Sequence, residues 1–363
     1  MVLLTGWISG EAQAQPAYLV KDINTNQPTS FWNYDFKHET EGAGGVFYFA
    51  FDDGIHGSEI WRSDGTLGGT HLLEDICPGA CSSEPRALTA SGDLLFFTAD
   101  DQINGRRLWR SDGTPQGTYI VANVLPGVTS TRDSLLDGED GTLYFSAYNP
   151  TDGAEIWATE GTVEGTHRLA DIPLEGGQGP RLLAAGDGLV LFAAAGESGW
   201  ETWITDGTET GTRMLADISP GFDGPFLYSN FASGREAIAA PWGGFIFAGV
   251  DAEGPEVWIT DGTPEGTSLL KNIVVGGGSF PYGFTVLNGV VIFVAIDSVH
   301  GTQPWRTDGT PAGTFFLKTG SSSGASNLTA VGNQAFFQAS TPESGMELWA
   351  TDGTPAGTRL VRD

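Results

Sequence analysis

The chain has 363 residues, 40% of them hydrophobic, enough apolar material to build a core and to exclude a disordered chain. Its 17 basic and 45 acidic residues give a net charge of −28, a field that repels nucleic acid and anionic lipid and excludes them as partners. No run of about 18 apolar residues occurs, which excludes a transmembrane helix and membrane insertion through one.

At the N-terminus a short apolar run leads to Ala12-Gln13-Ala14. This is the small-residue pattern at the end of a secretory signal, although a basic leading segment is missing. Residues 1–14 are therefore read as a signal peptide or its remnant, and residues 15–363 as one repeat domain. The expected location is secreted, periplasmic or on the cell surface.

From residue 18 onward one unit recurs. A segment such as residues 71–76 (HLLEDI) leads through a Pro-Gly loop to residues 86–90, then to a second apolar run, residues 94–99 (LLFFTA). A loop follows, and then a strand carrying a tryptophan. Seven tryptophans hold this place: Trp61, Trp109, Trp157, Trp203, Trp258, Trp305 and Trp349, at steps of 48, 48, 46, 55, 47 and 44 residues. After each comes an Asp-Gly-Thr turn, with Asp64, Asp112, Asp206, Asp261, Asp308 and Asp352 in six copies and Glu160 in the third. Gly-Thr then closes the motif.

Short β-branched and aromatic runs bounded by Gly, Pro, Asp and Asn, with no helical period, predict strands. Four strands in about 44–55 residues match one propeller blade. The fold class is therefore all-β: a seven-bladed β-propeller with four short antiparallel strands per blade, with an open β-solenoid as the alternative. Residues 18–23 (YLVKDI) and 358–363 (TRLVRD) both resemble the HLLEDI strand. The N-terminal one is expected to sit against the blade of Trp349 and close the ring, which removes an exposed edge. Turn Asp and Gly are read as hairpin chemistry, and each indole as a wedge between sheets whose N–H seeks a partner.

Cys77 and Cys81 have three residues between them, and the other repeats lack the pair. With no further ligands nearby, a local disulfide is expected rather than a metal site. The step from Trp203 to Trp258 is the longest, and its insertion carries Phe222, Phe226, Tyr228, Arg235, Glu236 and Trp242. An aromatic-rich insertion is where a binding loop is expected; the alternative is a loop that buries its own aromatics.

Seven tryptophans each followed by DGT (EGT in the third copy) and GT, preceded by Glu-Ile or Glu-Leu at Glu59, Glu155 and Glu347 and with His56-Gly57 and His300-Gly301 ahead of two of them, resemble the ELWxxDGT repeat family of bacterial, largely exported proteins. The resemblance covers residues 18 to 363. It implies a propeller-like repeat protein and brings no catalytic mechanism or ligand. Arg107 and Gln303 replace the family's Glu in two copies, which argues against a required catalytic role there.

No HExxH, GxSxG or phosphate-binding glycine loop occurs. Two loop sets rich in carboxylates are expected on one face of the ring. One holds Asp22, Asp75, Asp171 and Asp217, with Asn123 and Asn272 in the same slot. The other holds Asp53, Asp101, Asp152, Glu197, Asp251, Asp297 and Glu343. Turn capping explains them, with weak Ca²⁺ binding as a lesser expectation and no other cofactor. Together these features predict a non-catalytic, monomeric exported module that binds a protein or glycan. The alternative is a carbohydrate-active enzyme, a glycoside hydrolase or lyase with paired carboxylates on one face.

Overall fold

The computed structural model describes residues 19–23, 39–122, 125–126, 135–149, 153–172, 179–196, 199–218, 236–317, 324–341 and 344–362. Seven antiparallel sheets follow one another along the chain, each in simple up-and-down order. Blade 2 is representative: strands Arg86–Ser91, Leu94–Asp100, Arg106–Ser111 and Tyr119–Ala122 pair in sequence. Blades 1 to 7 span residues 39–74, 86–122, 125–168, 181–216, 237–271, 282–316 and 326–362. Blade 3 gains a short fifth strand, Leu125–Pro126, beside its second. The first strands of successive blades touch from blade 1 through blade 7, so they line the axis and the fourth strands lie outermost. This is the propeller, and the solenoid alternative is set aside.

Period-two alternation on the second strand gives each blade two apolar faces. Tyr48, Ile60, Leu73 and Ile76 of blade 1 meet Leu95, Phe97, Ala99 and Trp109 of blade 2 in one buried cluster. The same positions build the seams between blades 2 and 3, 3 and 4, 4 and 5, 5 and 6, and 6 and 7. The tryptophans are thus inter-blade wedges. Their N–H groups, expected to find partners, do not: Nε1 of Trp109, Trp157, Trp203, Trp258, Trp305 and Trp349 is buried without a hydrogen bond. The indoles serve by area and shape alone.

The ends differ from expectation. Residues 359–362 form the fourth strand of blade 7. Residues 19–23 lie beside blade 1 rather than on the blade of Trp349, next to Phe49, Ser63 and Thr70. Among the described residues no apolar cluster joins blade 7 to blade 1.

The Asp-Gly-Thr turn closes on itself. Asp112 Oδ1 accepts from Thr114 N and Thr114 Oγ1 at 3.0 and 2.6 Å, and Thr114 Oγ1 accepts from Gly117 N. A further pair is present in every copy: Ser111 Oγ and Thr118 Oγ1 lie 2.8 Å apart, and Ser111 Oγ also accepts from Gly113 N. Gly117 is required because a Cβ there would lie 2.0 Å from Asp112 Oδ1. Gly113 takes φ +86°, a left-handed conformation. In blade 3 the longer Glu160 side chain takes no part, while Thr159, Thr162 and Thr166 keep their bonds. Glu160→Asp is therefore expected to stabilise the protein by about 0.5–1 kcal/mol through two added turn bonds. Denaturant titration of the variant checks this.

The turns also receive the neighbouring blade. Arg62 donates to Gly113 O, Tyr119 Oη to Gly161 O, Arg213 to Gly262 O and Arg306 to Gly353 O, each from the preceding blade. All seven motif hairpins occupy the same rim.

Candidate functional site

The opposite rim carries the loops that join second to third strands and fourth strands to the next blade. These loops meet, as expected: Asn272 Nδ2 donates to Glu253 Oε2 at 3.0 Å. The residue that ties them is the motif's glutamate, at the start of the third strand. Glu59 is fully buried, and its carboxylate accepts from Ile76 N, Cys77 N, Ser83 N and Ser83 Oγ at 2.5–3.3 Å. Glu256 accepts from Ile273 N, Val274 N and Ser279 Oγ. Glu155 and Glu201 accept from Ile172 N and Ile218 N. A buried carboxylate is tolerated because backbone donors converge on it. Burial raises the pKa of Glu59 and Glu256 despite those bonds. Where the glutamate is lost, Arg107 Nη1 donates to Arg106 O and Gln303 Nε2 to His300 O.

The adjacent loops are capped from within. Asp53 Oδ1 accepts from Ile55 N and His56 N, and Oδ2 meets His56 Nδ1 at 2.7 Å. Asp101 with Asn104 and Asp297 with His300 repeat the arrangement. Partial burial pushes Asp53 upward, but the His56 bonds outweigh it and hold the carboxyl low, while the same contact raises His56. Among the described residues no group of three His, Cys, Asp or Glu is placed to hold a metal. Asn123, Asp152, Glu197 and Glu343 lie outside the described residues. Cys77 and Cys81 form the expected disulfide, which braces the loop held by Glu59.

The pattern breaks at blades 4 and 5. Glu201 is held by one backbone donor, Ile218 N, and faces the Asp217 carboxyl. Burial, the Asp217 charge and a hydrogen bond with the Asp217 side chain raise its pKa from 4.5 to about 7. On the same rim, Arg181 at the start of blade 4's first strand forms an ion pair of 3.0 Å with buried Glu236. Glu236 directly precedes blade 5's first strand, so the pair bridges two blades near the axis.

The sign of the Glu201 effect is fixed. A folded-state pKa above the unfolded one means that the folded protein binds the proton more tightly. Its contribution is complete below pH 4.5 and is lost as pH rises to about 7. Stability is expected to fall by about 2–3 kcal/mol across that window. The loss should be removed by Glu201→Gln, as read from denaturation midpoints at pH 4.5 to 7.5.

Of the insertion residues, Phe222, Phe226, Tyr228 and Arg235 lie outside the described residues. Glu236 and Trp242 are not brought together: strand Ala237–Ala239 runs between them and sends Trp242 to the opposite rim. There the half-exposed Trp242 covers Gly309 of blade 6, whose Cβ would fall 2.8 Å from the indole. The two lie six residues apart in sequence, but this short strand separates them.

No protein-family model and no curated protein sequence matches the chain. Among solved structures it resembles puromycin hydrolase, at 16% identity and a TM-score of 0.47, covering 89% of this chain and 53% of that one. It also resembles the β-propeller domain of the Trilobed protease from Pyrococcus furiosus, at 13% and 0.45, covering 91% and 99%. A third is the acylaminoacyl peptidase of Pyrococcus horikoshii, at 13% and 0.44, covering 88% and 50%. The chain spans about half the length of the hydrolase and the peptidase. These matches correct the functional expectation. They are peptidase proteins and their propellers, at 13–16% identity, so neither a non-catalytic protein- or glycan-binding module nor a carbohydrate-active enzyme is retained. At such identity the shared property is a β-propeller fold.

Proposed function

We propose that the chain is the propeller scaffold of an exported protein of the ELWxxDGT repeat type, built to hold the loops of one rim in fixed positions. The observation that carries this reading is the internal use of the repeated acidic groups. The motif aspartates close their own turns and the buried motif glutamates anchor the rim loops. The disulfide supports export, since such bonds persist in oxidising compartments.

The rim between blades 4 and 5 is where the scaffold departs from its repeat and where the longest insertion is carried. Replacing residues 219–235, which carry most of the longest departure from the repeat, with a short Gly-Ser linker is expected to leave the melting midpoint within about 3 °C. The same protein should be recovered outside the cytoplasm. Loss of folding on replacement would overturn the scaffold reading. So would turnover of a peptidyl p-nitroanilide abolished by Arg181→Ala.

A further inference from the structure

Six seams join seven blades, and the positions that build them are strictly repeated. The residue before each motif tryptophan faces the next blade: Ile60, Leu108, Ile156, Thr202 and Val257 are at most 0% exposed, and Pro304 is buried. Leu348, in the same place on blade 7, is 46% exposed. On the fourth strand, Leu73, Val121, Leu169, Leu215, Leu270 and Leu317 are buried, whereas Val361 is 45% exposed. Blade 7 thus presents the surface that every other blade buries against its successor.

Blade 1 carries the complementary surface, and residues 19–23 sit on it. Phe49 and Trp61 are buried, while Phe47 and Phe51 are only half-buried. Lys21 Nζ donates to Thr70 O at 2.6 Å. Lys271, on blade 5's fourth strand, donates to Thr314 O of blade 6 at 2.7 Å. Thr70 and Thr314 are the same motif threonine, and YLVKDI aligns residue for residue with SLLKNI. Residues 19–23 therefore hold the place of a fourth strand belonging to a blade before blade 1. Blade 7's own fourth strand, residues 359–362, cannot occupy that place at the same time.

We infer that blade 7 closes on blade 1 of the same chain, with residues 19–23 taking the fourth-strand position on its third strand and residues 359–362 displaced. The six existing seams define the occupant: a face with this register has been covered, each time, by the next blade of the same repeat. A blade already tethered to the chain is at high effective concentration, which favours the intramolecular partner. The expected pairing sets Leu19 opposite Trp349, as Leu72 lies opposite Trp61. Phe51, standing where blades 2, 3, 4, 6 and 7 carry alanine, gives this seam its own fit.

Thermal unfolding of single aspartate variants tests the inference, with Leu108→Asp as the buried standard and Ile103→Asp, 85% exposed, as the surface standard. Leu348→Asp and Val20→Asp are expected to lower the midpoint toward the buried standard, and Val361→Asp to behave like the surface standard. Should Leu348→Asp be too unstable to purify, Leu348→Ser replaces it with the same ranking expected. A Leu348 variant indistinguishable from Ile103→Asp overturns closure. A costly Val361→Asp with a tolerated Val20→Asp overturns the strand assignment. Sedimentation equilibrium should give the single-chain mass; a midpoint that rises with protein concentration alongside a dimer mass would assign the face to a second copy and overturn the intramolecular closure.

Discussion

Glu59→Ala is expected to destabilise the protein by about 3–5 kcal/mol, because it strands several buried donors at once. Ile76 N, Cys77 N and Ser83 Oγ lose their acceptor where water cannot replace it, and Ser83 N keeps only its bond to Ser58 O. The disulfide closes a small ring within the same loop, which limits how far residues 77–81 can rearrange to find other acceptors. Glu59→Gln should cost less, since the amide oxygen still accepts while its NH₂ faces donors. Glu164, exposed on blade 3's motif turn, supplies the contrast: Glu164→Ala is expected to cost less than about 1 kcal/mol, as a site without a buried network does. Urea titrations of the three variants against the parent protein measure the series.

Trp305 separates area from hydrogen bonding. Trp305→Ala should cost about 3–5 kcal/mol, the usual result of emptying a large aromatic site. The ring packs with Phe293 and Phe316 in the seam between blades 5 and 6. Trp305→Phe should cost about 1 kcal/mol or less. It gives up part of the buried area but also removes an N–H that has no partner, and an unpaired buried donor costs about 1–3 kcal/mol. The same pair of substitutions at Trp258 should reproduce the ranking if the indoles act as wedges. A Trp→Phe loss as large as Trp→Ala would show that the N–H group is used after all.

Much of the architecture was legible because it is written seven times. The period, the turn chemistry of Asp-Gly-Thr and the alternation of LLFFTA-like runs are local signals, and they led to four-stranded blades. The Ser or Thr two residues after each tryptophan was equally visible, yet its pairing with the closing threonine, as in Ser111 and Thr118, depends on how the hairpin folds back. The role of the glutamate was less accessible. Its donors lie 17 to 24 residues away in sequence on a loop without a fixed pattern, so only the third dimension joins them.

The ends and the insertion were harder to read for a similar reason. Residues 18–23 and 359–362 look alike in sequence, and likeness cannot say which of two equivalent segments occupies one slot. Glu236 and Trp242 seemed close because they are six residues apart, but the three-residue strand between them carries one to each rim. The net charge of −28 disfavours polyanionic partners without indicating one.

Native-state amide hydrogen exchange bears most directly on the claim that buried glutamates fix the rim. The amides of Ile76, Ser83, Ile218, Ile273 and Val274 belong to loops yet donate to Glu59, Glu201 or Glu256. They should exchange as slowly as second-strand amides such as those of Phe97 and Phe293, and Ile76 and Ser83 alone should speed up in Glu59→Gln. Exchange of all five at the rate of exposed turn amides in the parent protein would contradict the account.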